Sequence, residues 1–270
     1  MIIVVGGQKG GTGKTTIATN IAVMRAREGR NVLLYDLDPL MLATLWASLR
    51  DKDKSLPKIN SIHKVLGQIN IGVVIRNELQ ALQSKYQDII VDARRADETL
   101  RAALSLANLA IFPINPSGID MWTFNTLSNL VNGTQSCNKT FKARVLFNGV
   151  HTNPGAAKKH IEECDDFLSE FDNLTRFDSF LSWRAAVQDA SGEGMAIVEY
   201  KPVDLKAIRE IESVYEEALS TVRKSEPAQS VLRLPPSLHQ KLREIAFITK
   251  DTVSNIGFRA LTEYIKTLEK

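Results

Sequence analysis

The chain has 270 residues, 44% of them apolar, and a formal net charge of +3, which suffices for one large α/β domain with a real core plus a small appendage. Residues 227 to 270 carry seven Lys/Arg against four Asp/Glu, so the tail holds the whole basic excess and residues 1 to 226 balance to zero. Two distant cysteines, Cys137 and Cys164, exclude a disulfide framework and a zinc cluster. There is no signal-peptide core and no run near the roughly 18 apolar residues of a membrane span, so a cytoplasmic protein is expected.

In chain order, short apolar runs read as strands: "IIVV" (2–5), "NVLLYD" (31–36), "DIIVD" (88–92), "LAIFPI" (109–114) and "ARVLFN" (143–148). Between them apolar residues recur at helical spacing, as in Ile17, Ile21 and Met24 before Gly29, or Leu100, Leu104 and Leu106. The alternation predicts an α/β fold, a parallel sheet with helices on both faces. Residues 51–60, "DKDKSLPKIN", read as a surface loop. A long amphipathic helix over 203–224 closes this domain (1–224), and "SEPAQS" (225–230) has the composition of a linker to a module at 231–270.

Straight after the first run stands "GGQKGGTGKTT" (6–16). It follows the phosphate-loop pattern G-x-x-x-x-G-K-[ST], with Gln8 in place of the first glycine and an additional lysine, Lys9, at the loop's entrance. Backbone N–H groups from Gly10, Gly11, Thr12, Gly13, Lys14, Thr15 and Thr16 would wrap a phosphate at the positive end of the following helix. Lys14 would reach the terminal phosphates and the Thr15 hydroxyl would hold Mg²⁺. Carboxylates belong at the C-terminal ends of neighbouring strands. Asp36 and Asp38 in "YDLDPL" and Asp92 after "DIIV" stand there.

The pattern K-G-G-x-G-K-T-T followed by D-x-D-P resembles the deviant Walker A ATPases of the ParA/MinD type, over about residues 1 to 222. The resemblance implies ATP and Mg²⁺ as cofactors and a nucleotide-sandwich homodimer. Lys9 would act across that dimer on the partner's ATP, the alternative being a solvated surface lysine. Asp38 would position the attacking water, Asp92 would bind Mg²⁺ through its water shell, and Asp36 would support the metal site. Asn148, at the end of "ARVLFN", falls where the family reads adenine. The family places small residues after its second aspartate, whereas here "DARRADE" brings Arg94 and Arg95. They could stabilise transition-state charge, contact DNA, or pair with Asp97 and Glu98 on the surface, the favoured reading.

Such ATPases bind DNA without sequence preference as ATP-bound dimers, which makes Arg184, Lys201, Lys206, Arg209 and Arg223 candidate phosphate contacts. They are nucleoid-associated, and a separate centromere-binding protein is their usual partner. In the tail, an alternating stretch, two prolines (Pro235, Pro236) and two helical patterns resemble a ribbon-helix-helix module, with Gln229, Val231 and Arg233 turned toward bases. A dimerisation hairpin is the alternative; the two prolines disfavour a membrane-binding helix. The expectation is a slow DNA-partition ATPase with a fused site-specific reader. An ATP-gated DNA-binding regulator, or a small-molecule ligase of the dethiobiotin synthetase type, is the alternative.

Overall fold

The computed structural model describes residues 1–64, 70–94, 98–116 and 123–225, with single positions 241, 245 and 260. The chain divides into two units, Met1–Pro227 and Ala228–Lys270. Gln229, Val231, Arg233 and the expected ribbon-helix-helix module lie outside the described residues.

Strand β1 (Ile2–Val5) is buried throughout, and β2 (Val32–Asp36), β4 (Asp88–Asp92) and β5 (Leu109–Ile114) are equally enclosed. Buried on both faces, they have no polar side and so read as continuous apolar runs. With β3 (Asn60–His63), β6 (Lys142–Val150) and β7 (Thr175–Arg176) they make a sheet in the order β3-β2-β4-β1-β5-β6-β7. Every neighbouring pair is parallel, and β8 (Leu181–Ser182) also pairs with β6.

Period-two alternation sends successive residues of each strand into opposite cores. Ile2, Val4, Leu33, Tyr35, Ile89 and Val91 pack with apolar residues of α3 (Ile71–Leu82), α4 (Glu98–Leu104), α5 (Phe124–Cys137) and α6 (Pro154–Leu168). Ile3, Val5, Val32, Leu34 and Ile90 pack with α1 (Lys14–Arg27), α2 (Leu42–Arg50) and α8 (Leu205–Ser225). Each fully buried Val or Ile contributes roughly 1.5–3 kcal/mol. Helix α7 (Ala185–Gly192) joins α8 through a smaller cluster of Ala190, Ile197, Ala207 and Ile211.

The strands expected at 2–5, 88–92 and 109–114 appear with those bounds, while β2 starts one residue later than expected and β6 runs one residue earlier and two later. The loop expected over 51–60 gives way at Asn60 to β3, a half-buried edge strand pairing with β2 through Leu33 and Asn60. Helix α4 stops at Leu104, so Leu106 lies beyond it. Helix α8 starts at Leu205 rather than 203, because the Asp204 carboxylate accepts the backbone N–H groups of Lys206 and Ala207 as its cap.

Candidate nucleotide-binding site

Strand β1 lies between β4 and β5, so the loop that follows it opens at the C-terminal edge where the strand order reverses. Helix α1 begins at Lys14 directly after Gly13, which sits at φ 85° with no side chain capping the helix. A Cβ on Gly13 would fall within hard contact of Asn148 Nδ2. That close approach, with the left-handed backbone, makes glycine the residue that fits there.

The side chains of the motif converge. Lys14 Nζ donates to Lys9 O at 2.6 Å and lies 3.5 Å from Thr12 Oγ1. The Thr15 hydroxyl donates to Asp92 Oδ2 at 2.6 Å. Sheet register places Asp36 of β2 beside Asp92 of β4, and Asp92 beside Val5 of β1. Asp36 Oδ1 accepts the N–H of Asp38 and Oδ2 that of Thr44 in the first turn of α2, both at 2.9 Å. This carboxylate therefore shapes the turn carrying Asp38, and it faces the positive end of α2. Asp38 accepts the Leu40 N–H through Oδ1 at 2.9 Å and is itself buried. Asn148 donates through Nδ2 to Thr12 O at 2.8 Å.

Lys14, Thr15, Asp38 and Asn148 line one cleft of about 560 Å³, with Gly10, Gly11, Thr16, Arg94, Asn115 and Trp183 also in its walls, and Asp92 is bonded to it through Thr15. Burial drives the Asp92 carboxyl up to about 7; Asp36 and Asp38 add to the rise, while the Thr15 hydrogen bond and Lys14 oppose it. Burial likewise lowers Lys14, against the attraction of Asp92 and Asp38 and with the repulsion of Arg94. A buried cation beside uncapped backbone N–H groups favours a polyanion. The donors beside it are oxygens only, the class Mg²⁺ takes. Among the described residues no group of three or more His, Cys, Asp or Glu is arranged to hold a metal by protein ligands alone.

Lys9 is exposed at the loop. Lys201, Lys206, Arg209 and Arg223 are exposed as well, the last three along α8. Arg184 is placed differently: it lines the cleft, donating to Glu210 at 2.7 Å with Asp204 at 3.7 Å. The expected surface pairing of Arg94 with Glu98 does not occur. Glu98 accepts the Gly72 N–H at 3.1 Å, while Arg94 faces Asp38 Oδ1 at 3.9 Å. Arg95 and Asp97 lie outside the described residues.

Three contributors escaped the sequence reading. Asn115 directly follows β5, and the strand-end rule that found the aspartates points to it too. Asn20 fastens α1 to a distant segment, donating to Thr16 O and accepting the Ile197 N–H, and no local pattern marks it. Trp183 is 58% exposed at the cleft wall, and no spacing rule singles it out.

The sequence model of the CobQ/CobB/MinD/ParA nucleotide binding domain matches residues 3–198. The "Maintenance of carboxysome distribution protein A" of Halothiobacillus neapolitanus is 25% identical over 215 residues, which is 78% of this chain and 93% of that protein. Among solved structures, the ATP complex of McdA from Cyanothece aligns with a TM-score of 0.62 at 15% identity, covering 81% of this chain and 96% of that one. A plasmid partition protein of Borrelia burgdorferi aligns with a TM-score of 0.58 at 18% identity, covering 81% and 97%. At such identities these structures share the fold.

Proposed function

The chain belongs to the CobQ/CobB/MinD/ParA nucleotide-binding family, and on that premise we propose that it is a partition ATPase of the ParA type that closes into a homodimer on ATP and binds DNA in that state. One observation carries the reading. Residues of the phosphate loop, its Lys14, Thr15 and Asp38 line a single cleft at the strand ends, with Asp92 hydrogen-bonded to Thr15 and a further lysine, Lys9, exposed in the loop.

In this reading Gly10 to Thr16 hold the phosphates through backbone N–H groups, and Lys14 exchanges its contact with Lys9 O for phosphate oxygens. Thr15 and Asp92 would hold Mg²⁺, Asp92 by way of the ion's water shell, and the ion would supply charge neutralisation at the phosphates. Asp38 orients water, and the turn fixed by Asp36 holds Asp38 in place. Asn148 is the adenine-facing side chain at the end of β6. Catalysis by positioning and charge compensation with so few groups implies slow turnover. Lys9 reaches the partner's nucleotide and makes ATP binding report on dimerisation. Lys201, Lys206, Arg209 and Arg223 are the nonspecific DNA contacts, and residues 231–270 the site-specific reader. A carboxysome distribution protein among the similar chains supports a role in positioning a cargo. A centromere-binding protein is the partner that fits it.

The test is the mass of the full chain in solution with Mg²⁺ and either ATP or ADP, together with phosphate release. A doubled mass with ATP alone, and hydrolysis lost in Lys14→Ala, is the expected result. A mass indifferent to nucleotide, or hydrolysis that survives Lys14→Ala, contradicts the reading.

A further inference from the structure

Arg94 is a cationic residue of the cleft to which the partition reading gives no role. Its backbone is fixed at the site's edge. Ala93, fully buried, donates its N–H to Val5 O at 2.9 Å, and the Leu37 N–H donates to Asp92 O at 2.9 Å. Arg94 therefore leaves the sheet where β1 passes into the phosphate loop and β2 into the Asp38 turn. Its side chain is 36% exposed and lines the same cleft as Gly10, Gly11, Lys14 and Asp38.

Its ion pair with Asp38 is loose. At 3.9 Å from Asp38 Oδ1 the guanidinium makes a charge contact without a hydrogen bond, and a partly exposed pair of that kind holds weakly. Asp38 Oδ1 meanwhile keeps the Leu40 N–H at 2.9 Å, so the carboxylate stays oriented when the arginine leaves. A phosphate group offers the same guanidinium two oxygens in fork geometry and more negative charge than one carboxylate. The exchange runs toward phosphate once a nucleotide fills the loop.

We propose that Arg94 is a cis-acting clamp for the terminal phosphate of a nucleoside triphosphate, resting on Asp38 in its absence and releasing Asp38 to water when the phosphate is bound. The inference rests on the reading of the cleft as an ATP site. A diphosphate ends short of the clamp, so Arg94 distinguishes the two nucleotides, and loss of the phosphate returns the guanidinium to Asp38. The cation this places on the terminal phosphate comes from the same chain as the loop, unlike Lys9, which acts on the partner's nucleotide.

The experiment is calorimetric titration of the full chain with Mg²⁺ and either the non-hydrolysable β,γ-imido analogue of ATP or ADP, comparing wild type, Arg94→Ala and Arg94→Lys. Arg94→Ala should weaken the triphosphate analogue about tenfold or more while leaving ADP within about twofold, and Arg94→Lys should recover part of the loss. Unchanged ADP affinity shows that the variant is folded. Equal changes for both nucleotides, or none, overturn the clamp and leave the ATP site standing. A wild type that binds neither nucleotide overturns the ATP site and the clamp with it.

Discussion

Asp92 is a buried carboxyl held between two neighbouring aspartates and one hydroxyl donor, and burial keeps its proton on up to about 7, far above the ordinary 3.8. Between those two values the folded chain holds a proton that the unfolded chain has lost. Asp92 therefore contributes stability that is complete below about pH 4 and disappears as pH rises through about 7. Without nucleotide or Mg²⁺, Asp92→Asn should match wild type in thermal unfolding at the acid end and exceed it increasingly toward about pH 8, by a few kcal/mol at most. A difference that stays constant across the range contradicts this. Much of the site was legible residue by residue, because Lys14 and Thr15 sit in a phosphate-loop pattern and Asp36 and Asp92 end apolar runs. The partner of Arg94 was not. "DARRADE" offers acidic neighbours in sequence, and only the register between β2 and β4 brings Asp38 to Arg94.

Helix α2 follows the Asp38 turn, and its last residue fastens it. Arg50 is 1% exposed and makes two 2.7 Å hydrogen bonds to Glu199, itself 7% exposed, while also donating to Pro57 O and Gly194 O. Removing one partner of such a buried pair strands the other charge, so Arg50→Ala should lower stability in urea by about 3–5 kcal/mol. Replacing both by apolar residues, Arg50→Met with Glu199→Leu, should restore much of it. A loss under about 1 kcal/mol for Arg50→Ala shows that the pair is not holding α2. Elements differed in legibility for a related reason. The five runs enclosed by helices announce themselves as apolar stretches, whereas β3, "NSIH", is a half-buried polar edge, and β7 and β8 have two residues each, too few for a pattern. Pairing across the sheet creates those strands, and a local window does not contain it.

At the scale of the molecule, the proposed function depends on a second copy and on DNA. Residues 1 to 226 have no net charge, so composition points to no DNA-binding face. The cations that could form one are dispersed: Lys206 and Arg209 near the start of α8 are exposed together, and Arg223 stands about 21 Å further along the helix. In the proposed reading one protomer presents a weak patch, and pairing two would double it, because phosphate contacts add. Lys9 is the residue through which ATP would drive that pairing. The measurement that tests this most directly is the affinity of the full chain for random duplex DNA at one fixed salt concentration, with ATP and with ADP, for wild type and Lys9→Ala. The account predicts tight binding by wild type with ATP alone, and a Lys9→Ala variant that still binds ATP but has lost DNA. Binding that is equal in both nucleotide states, or absent from both, contradicts it.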